Sequence, residues 1–170
     1  MAEWINSDGL RVRFGVEEGF VTRGGELTEA GHQLTWELTL SLTDFLTGSA
    51  LVPRTTGIVF PAGVFIDEVS VENEVAAVGT NATLNLGLVR TDTTTVYDVD
   101  AFLSAAPRTD WDVAGETKVY SPGITGVGSS VGTVLPYPGV LVGDWDTAAF
   151  TAGKIRVIIK GHVPLPNITN

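Results

Sequence analysis

Leu34, Trp36, Leu38, Leu40 and Leu42 alternate with Thr35, Glu37, Thr39 and Ser41. Period two over nine residues places every apolar side chain on one face of an extended strand, whereas helical geometry would scatter them around the axis. A strand with one greasy face cannot stand alone. It needs partners on both edges and a second layer over its apolar face, so the chain must build a layered β structure.

Other segments carry the same signal. Ile58-Val59-Phe60 stops at Pro61-Ala62-Gly63, and a longer run from Val64 to Glu72 follows directly. Proline lacks an N–H and glycine tolerates positive φ, so this reads as strand, bend, strand. Val64, Phe65 and Ile66 open the second strand as a doubly buried piece. Val69 and Val71 then oppose Glu68, Ser70 and Glu72, as in a central strand that becomes half-exposed. Leu84, Leu86 and Leu88 define a further strand, as do Ile155, Val157 and Ile159 within Lys154 to Val163. Leu10, Val12 and Phe14 alternate with Arg11 and Arg13 in a glycine-rich N-terminal region (1–33) read as an arm with one or two strands. Asp98 to Ala106, rich in alanine and leucine after a capping aspartate and ended by Pro107, predicts one short helix. Residues 107–130 read as irregular. Val131 to Val142 is a strand candidate that Pro136 and Pro138 push to a sheet edge. The expectation is a single domain over 1–170, an all-β antiparallel sandwich or jelly roll. It carries at most one short helix and extended arms at 1–15 and 163–170.

A chain of 170 residues can bury roughly 70% of its unfolded surface, enough for a core without staples. There is no cysteine, which removes disulfides, thiolate metal sites and a cysteine nucleophile. Twenty acidic residues against ten basic ones give a formal net charge of -10, and the Lys and Arg are scattered singly. That argues against a nucleic-acid partner, since phosphate binding needs clustered bases. Met1-Ala2-Glu3-Trp4 shows neither a basic nor an apolar leader, so no secretion signal is expected and the sequons at Asn81 and Asn167 are discounted. No apolar run approaches the ~20 residues of a membrane span, so no membrane is expected as a partner.

The residues that carry chemistry are sparse. The two histidines, His32 and His162, sit in no ligand motif, and no G-x-S-x-G frames a serine. Asp98/Asp100, Asp110/Asp112 and Asp144/Asp146 are Asp-x-Asp pairs that could offer oxygens to calcium or a glycosidase, yet none continues into a calcium loop. Capping and solvated turns account for them. Gly126-Val127-Gly128-Ser129-Ser130-Val131-Gly132 resembles a phosphate-binding loop but lacks the Gly-Lys-Ser/Thr ending, and reads as a plain loop. No catalytic residue, cofactor or metal is assigned, and an enzyme is not expected. Aromatics remain. Trp36 belongs to its strand's core face. Trp4, Trp111 and Trp145 sit in arm or loop contexts, where each either packs on its own domain or anchors an interface or a sugar.

Four phrases resemble a family of tailed-bacteriophage virion proteins. They are Met1-Ala2-Glu3-Trp4 with Ser7-Asp8-Gly9-Leu10 and Phe14-Gly15; Phe60-Pro61-Ala62-Gly63-Val64-Phe65-Ile66 leading to Val69-Ser70-Val71; Thr83-Leu84-Asn85-Leu86-Gly87-Leu88 followed by Asp100-Ala101-Phe102-Leu103; and Thr151-Ala152-Gly153-Lys154-Ile155-Arg156-Val157. The resemblance implies a capsid decoration, cement or head-stabilisation protein with no catalytic residues to carry over. Its partner would be the major capsid protein, its state a homotrimer and its location the capsid surface of the virion after synthesis in the host cytoplasm. Adhesion would remove apolar area from water at about 25 cal/mol per Å², multiplied by many symmetric copies. Trp4, Leu10, Phe14, Trp111, Trp145, Pro164, Leu165 and Pro166 are the expected contact residues, and the arms are expected to add a strand to a neighbour's sheet. The alternatives are a tail or head-completion protein and a carbohydrate-binding jelly roll using Trp111 or Trp145.

Overall fold

A computed structural model describes the backbone of residues 2–5, 11–15, 23–30, 33–47, 59–91 and 95–164, and side chains at 33–45, 59–91, 95 and 97–164. Twelve strands appear among the described residues: β1 (Ala2–Ile5), β2 (Arg11–Gly15), β3 (Arg23–Ala30), β4 (Gln33–Ser41), β5 (Leu46–Thr47), β6 (Val59–Phe60), β7 (Phe65–Val78), β8 (Thr83–Arg90), β9 (Val96–Pro107), β10 (Thr117–Tyr120), β11 (Gly139–Asp146) and β12 (Ala152–His162). One sheet has the order β1-β2-β3-β4-β12-β7-β10. The other runs β5-β11-β8-β9, with β6 also on β11. Let β5 and β6 share one position and count eight strands from β4 onward. The facing sheets then read 1-8-3-6 and 2-7-4-5, the double Greek key of a jelly roll. The ladders are antiparallel apart from the short β5–β11 pairing, which is parallel.

The alternating stretch occupies β4 as expected. Leu34, Trp36, Leu38, Leu40 and Leu42 are buried while the residues between them reach solvent or its margin. Val157 and Ile159 of β12 and Val69 and Val71 of β7 continue that inner face through the register Leu38–Val157–Val71 and Trp36–Ile159–Val69. From the other sheet, Leu84, Leu86, Leu88, Phe102, Leu103 and Leu141 close on it. Trp36, Phe60 and Phe102 form a continuous aromatic seam, with centroids 4.8 and 5.1 Å apart. Pro61-Ala62-Gly63 is the expected bend between β6 and β7, with Gly63 at φ 84°, a region costly for any residue with a Cβ. β7 lies inside its sheet, between β12 and β10.

Two expectations are corrected. Asp98 to Ala106 is not a helix: it lies within β9, laddered to β8 through Leu84–Ala106, Leu86–Leu103 and Leu88–Asp98. Alanine and leucine favour helix by only tenths of a kcal/mol per residue, less than the core contacts of Ala101, Phe102 and Leu103 supply. Three register shifts let this strand bury consecutive residues, which hides the period-two signal. The prolines near 136 do not push a strand to an edge. β11 begins at Gly139, past both, and runs inside its sheet between β5/β6 and β8. Within 107–130, read as irregular, the structure adds the edge strand β10.

Candidate interaction surface

The registers fix which loops share an end of the sandwich. His162 pairs with both Gln33 and Phe65, Phe60 with Gly139, Gly139 with Arg90, and Val89 with Val96. The β6–β7 bend, the β8–β9 connection, the run into β11 and the exit of β12 therefore meet at one end. Ala152–Val78, Lys154–Ser41 and Asp146–Thr83–Pro107 set the opposite ends of the same strands together at the other.

Among the described residues, the first end carries an apolar patch. Residues 132–135 are stitched onto the start of β7: Gly63 N–H donates to Leu135 O at 2.8 Å, Leu135 N–H to Val64 O at 2.8 Å and Ile66 N–H to Thr133 O at 3.0 Å. This turns Val134, Pro136, Tyr137 and Pro138 outward beside Pro61, Val163 and Pro164, all exposed. Tyr137 is 45% exposed, Val134 45% and Val163 44%. The Arg90 guanidinium lies over the Tyr137 ring at 4.0 Å, and Tyr97 meets that ring edge-on at 6.0 Å. Two flanking prolines and a cation–π contact hold Tyr137 in place, which lowers the entropy lost when a partner covers it. The described carboxylates nearest this end are engaged: Asp67 with His162 at 3.0 Å and Glu68 with Lys160 at 2.7 Å.

The second end is acidic. Asp112, Glu116 and Asp146 are exposed there, interleaved with the exposed Val75, Val78 and Val113. Between the ends, the outer face of the larger sheet is a ladder of cross-strand ion pairs. Lys154 meets Glu74, Arg156 meets Glu72 and, at 3.1 Å, Glu37, and these two carboxylates hold the Arg156 guanidinium still more firmly protonated.

Among the described residues, the outer face of the smaller sheet carries the acids Asp98, Asp100 and Asp144. Asp144 accepts from Asn85 Nδ2 at 2.8 Å, Asp100 from Ser104 Oγ at 2.7 Å and Asp98 from Ser129 Oγ. Burial pushes the Asp98 and Asp144 carboxyls up, helped by neighbouring Asp100. Hydrogen bonds from Asp98 and Ser104 bring Asp100 down. The Asp-x-Asp pairs thus divide. Asp98 and Asp100 share one site, Asp110 binds Tyr120 while Asp112 faces Arg108, and Asp144 turns to Asn85 while Asp146 takes the Thr147 N–H. Among the described residues no group of three or more His, Asp or Glu is arranged to hold a metal ion.

The expected contact residues are dispersed. Pro164 stands on the apolar end. Trp4 and Phe14 lie in β1 and β2 of the larger sheet, while Leu10, Leu165 and Pro166 fall outside the described residues. Trp111 takes the packing alternative: it is 0% exposed and edge-on to Tyr120 at 6.4 Å, so its ring offers nothing to a partner or a sugar on this surface. Its carbonyl receives Asn73 Nδ2 at 2.6 Å, and Val113 O receives the same amide at 2.7 Å, which pins this loop to β7. Trp145 is half-buried and packs against the core. Sequence reasoning missed Tyr137. Its signal was Pro136-Tyr137-Pro138, an aromatic between two residues that cannot donate to a ladder and so must stand outside one.

No protein-family model matches the chain, and no curated protein matches it. It is similar to a chain of the cyanophage Pam1 capsid asymmetric unit, with 15% identity and a TM-score of 0.48 over 80% of this chain and 89% of that one. It is also similar to a chain of the capsid of Ralstonia phage GP4, with 14% identity and a TM-score of 0.49 over 81% and 88%.

Proposed function

We propose that the protein is a structural virion component, a decoration or cement protein that seats its apolar end on the outside of a phage capsid and stabilises the shell by adhesion. The polarity of the sandwich carries this reading. One end presents prolines, valines and a clamped tyrosine, with Asp67 hydrogen-bonded to His162 and Glu68 paired with Lys160, and the other presents the exposed acids Asp112, Glu116 and Asp146. Apolar contact supplies the adhesion. The acidic end then points to solvent. The phrases around Phe60-Pro61-Ala62-Gly63 and Leu84-x-Leu86 that resemble phage decoration proteins support the same assignment, with the major capsid protein as partner and a homotrimer as the seated form.

Co-sedimentation with capsids that lack the protein tests this. Val134→Asp and Tyr137→Asp lie on the apolar end and should each weaken binding at least tenfold, since an exposed rigid aromatic at an interface centre contributes about 2 kcal/mol or more. Asp112→Ala on the other end should bind as the parent does. Equal binding by all three would refute the seating. Light scattering at three chain masses would support the trimer, and a single chain mass would refute it.

A further inference from the structure

The outer edge of β9 ought to be open, since β9 is the last strand of its sheet. Instead the segment Gly126–Ser130 lies along it. Ser104 N–H donates to Gly126 O, Gly128 N–H to Phe102 O and Ser130 N–H to Ala101 O, each at 2.9 Å, and Leu103 and Val127 form an antiparallel bridge. The fit requires glycine: a Cβ on Gly128 would lie 2.2 Å from the Asp100 carbonyl oxygen. Ser129, exposed above the strap, bonds Asp98 through its hydroxyl. Of the phosphate-loop-like glycines, Gly128 thus serves close backbone approach, while Gly126 and Gly132 take positive φ.

We propose that Gly126–Ser130 is a strap that closes the β9 edge against a second copy of this chain. The covered backbone groups belong to Ala101-Phe102-Leu103-Ser104, an apolar run of high pairing capacity and the kind of edge that recruits another strand when bare. A second β9 is the matching occupant. Antiparallel self-pairing centred on Phe102 sets Asp100 opposite Ser104 of the other copy, so no like charges are directly opposed, and Ser104 already bonds Asp100 within the chain. β10, an edge strand of the larger sheet, is defended differently, by a length of four residues and by Lys118 held toward Asp110 at 3.7 Å.

Ser129→Asp tests the strap with little risk to folding, because position 129 is exposed and the new carboxylate faces Asp98 and Asp100. Gly128→Val tests it by steric exclusion. Hydrogen exchange at the Ser104 amide should quicken at least tenfold in both, and the light-scattering mass should rise above the parent's with concentration. Adding Ser104→Pro, which deletes the edge donor, should return the mass to the parent's value. Unchanged Ser104 exchange in Ser129→Asp would overturn the strap. Faster exchange with unchanged mass, or a mass increase that Ser104→Pro does not reverse, would overturn its guarding role. If Gly128→Val loses its β signal, Ser129→Asp alone decides.

Discussion

Ala105 shows how single residues pay for the irregularity of β9. It sits at φ 46°, between the Leu84–Ala106 and Leu86–Leu103 pairs, with its N–H donating to Asn85 Oδ1 at 2.7 Å. A Cβ in this left-handed region costs roughly 1 kcal/mol, and the side chain is exposed, so Ala105→Gly should raise the urea midpoint by an equivalent of about 0.5–1 kcal/mol. A lower midpoint would mean that the methyl packs more than its exposure indicates. Asp144 offers a second test. Burial raises its folded-state value above the ordinary carboxylate one, with Asp146 and Asp100 adding repulsion against the help of Asn85. Between those two values the folded state holds more protons than the unfolded one, so this group's contribution falls as pH rises through the window and is fully unfavourable above it. Asp98 has the same sign. Asp100, with a lowered value, has the opposite one, favourable above the ordinary value and lost as pH falls. Asp144→Asn keeps an acceptor for Asn85 and removes the charge. It should be at least as stable as the parent at pH 7, with the advantage shrinking toward pH 4 in paired thermal melts.

Elements were legible where one face is buried and the ladder is regular. β4, β8 and β12 display their period because residue i and residue i+2 share an environment, and Pro61-Ala62-Gly63 announces its bend by backbone chemistry alone. β9 was illegible for the opposite reason, since its bulges bury Ala101, Phe102 and Leu103 in succession and a run of apolar residues reads equally as helix. β10 is too short to carry a pattern and exists because β7 offers it an edge. The candidate surface was half-legible. Pro164 lies at the apolar end, but Tyr137 is brought there only through its hydrogen-bonded neighbours at 132–135, and Trp111 is withdrawn by a loop that Asn73 ties down across nearly forty residues of chain. Asn73→Ala removes one buried donor from the Trp111 carbonyl, which keeps the Ala77 N–H at 2.9 Å, and one from the part-buried Val113 carbonyl, and should cost about 1 kcal/mol. Trp111 fluorescence should shift red as the loop loosens, and unchanged fluorescence with unchanged stability would contradict the tie.

At the scale of the molecule, the eight-strand order sorts loops to two ends, and the two ends differ in chemistry although neither was designed by any one segment. The bend after β6, the run into β11 and the exit of β12 are far apart in sequence, and only the jelly-roll registers bring Pro61, Val134, Tyr137 and Val163 together. The proposed adhesive role rests on that polarity: an apolar end to seat, an ion-paired flank, an acidic end to face water. The measurement that tests it most directly is hydroxyl-radical footprinting of the protein free and bound to capsids. Val134, Pro136, Tyr137 and Val163 should be protected on binding, with Val75, Val78 and Val113 as reactive as before. Protection of Val75, Val78 and Val113 with Tyr137 left reactive would contradict it.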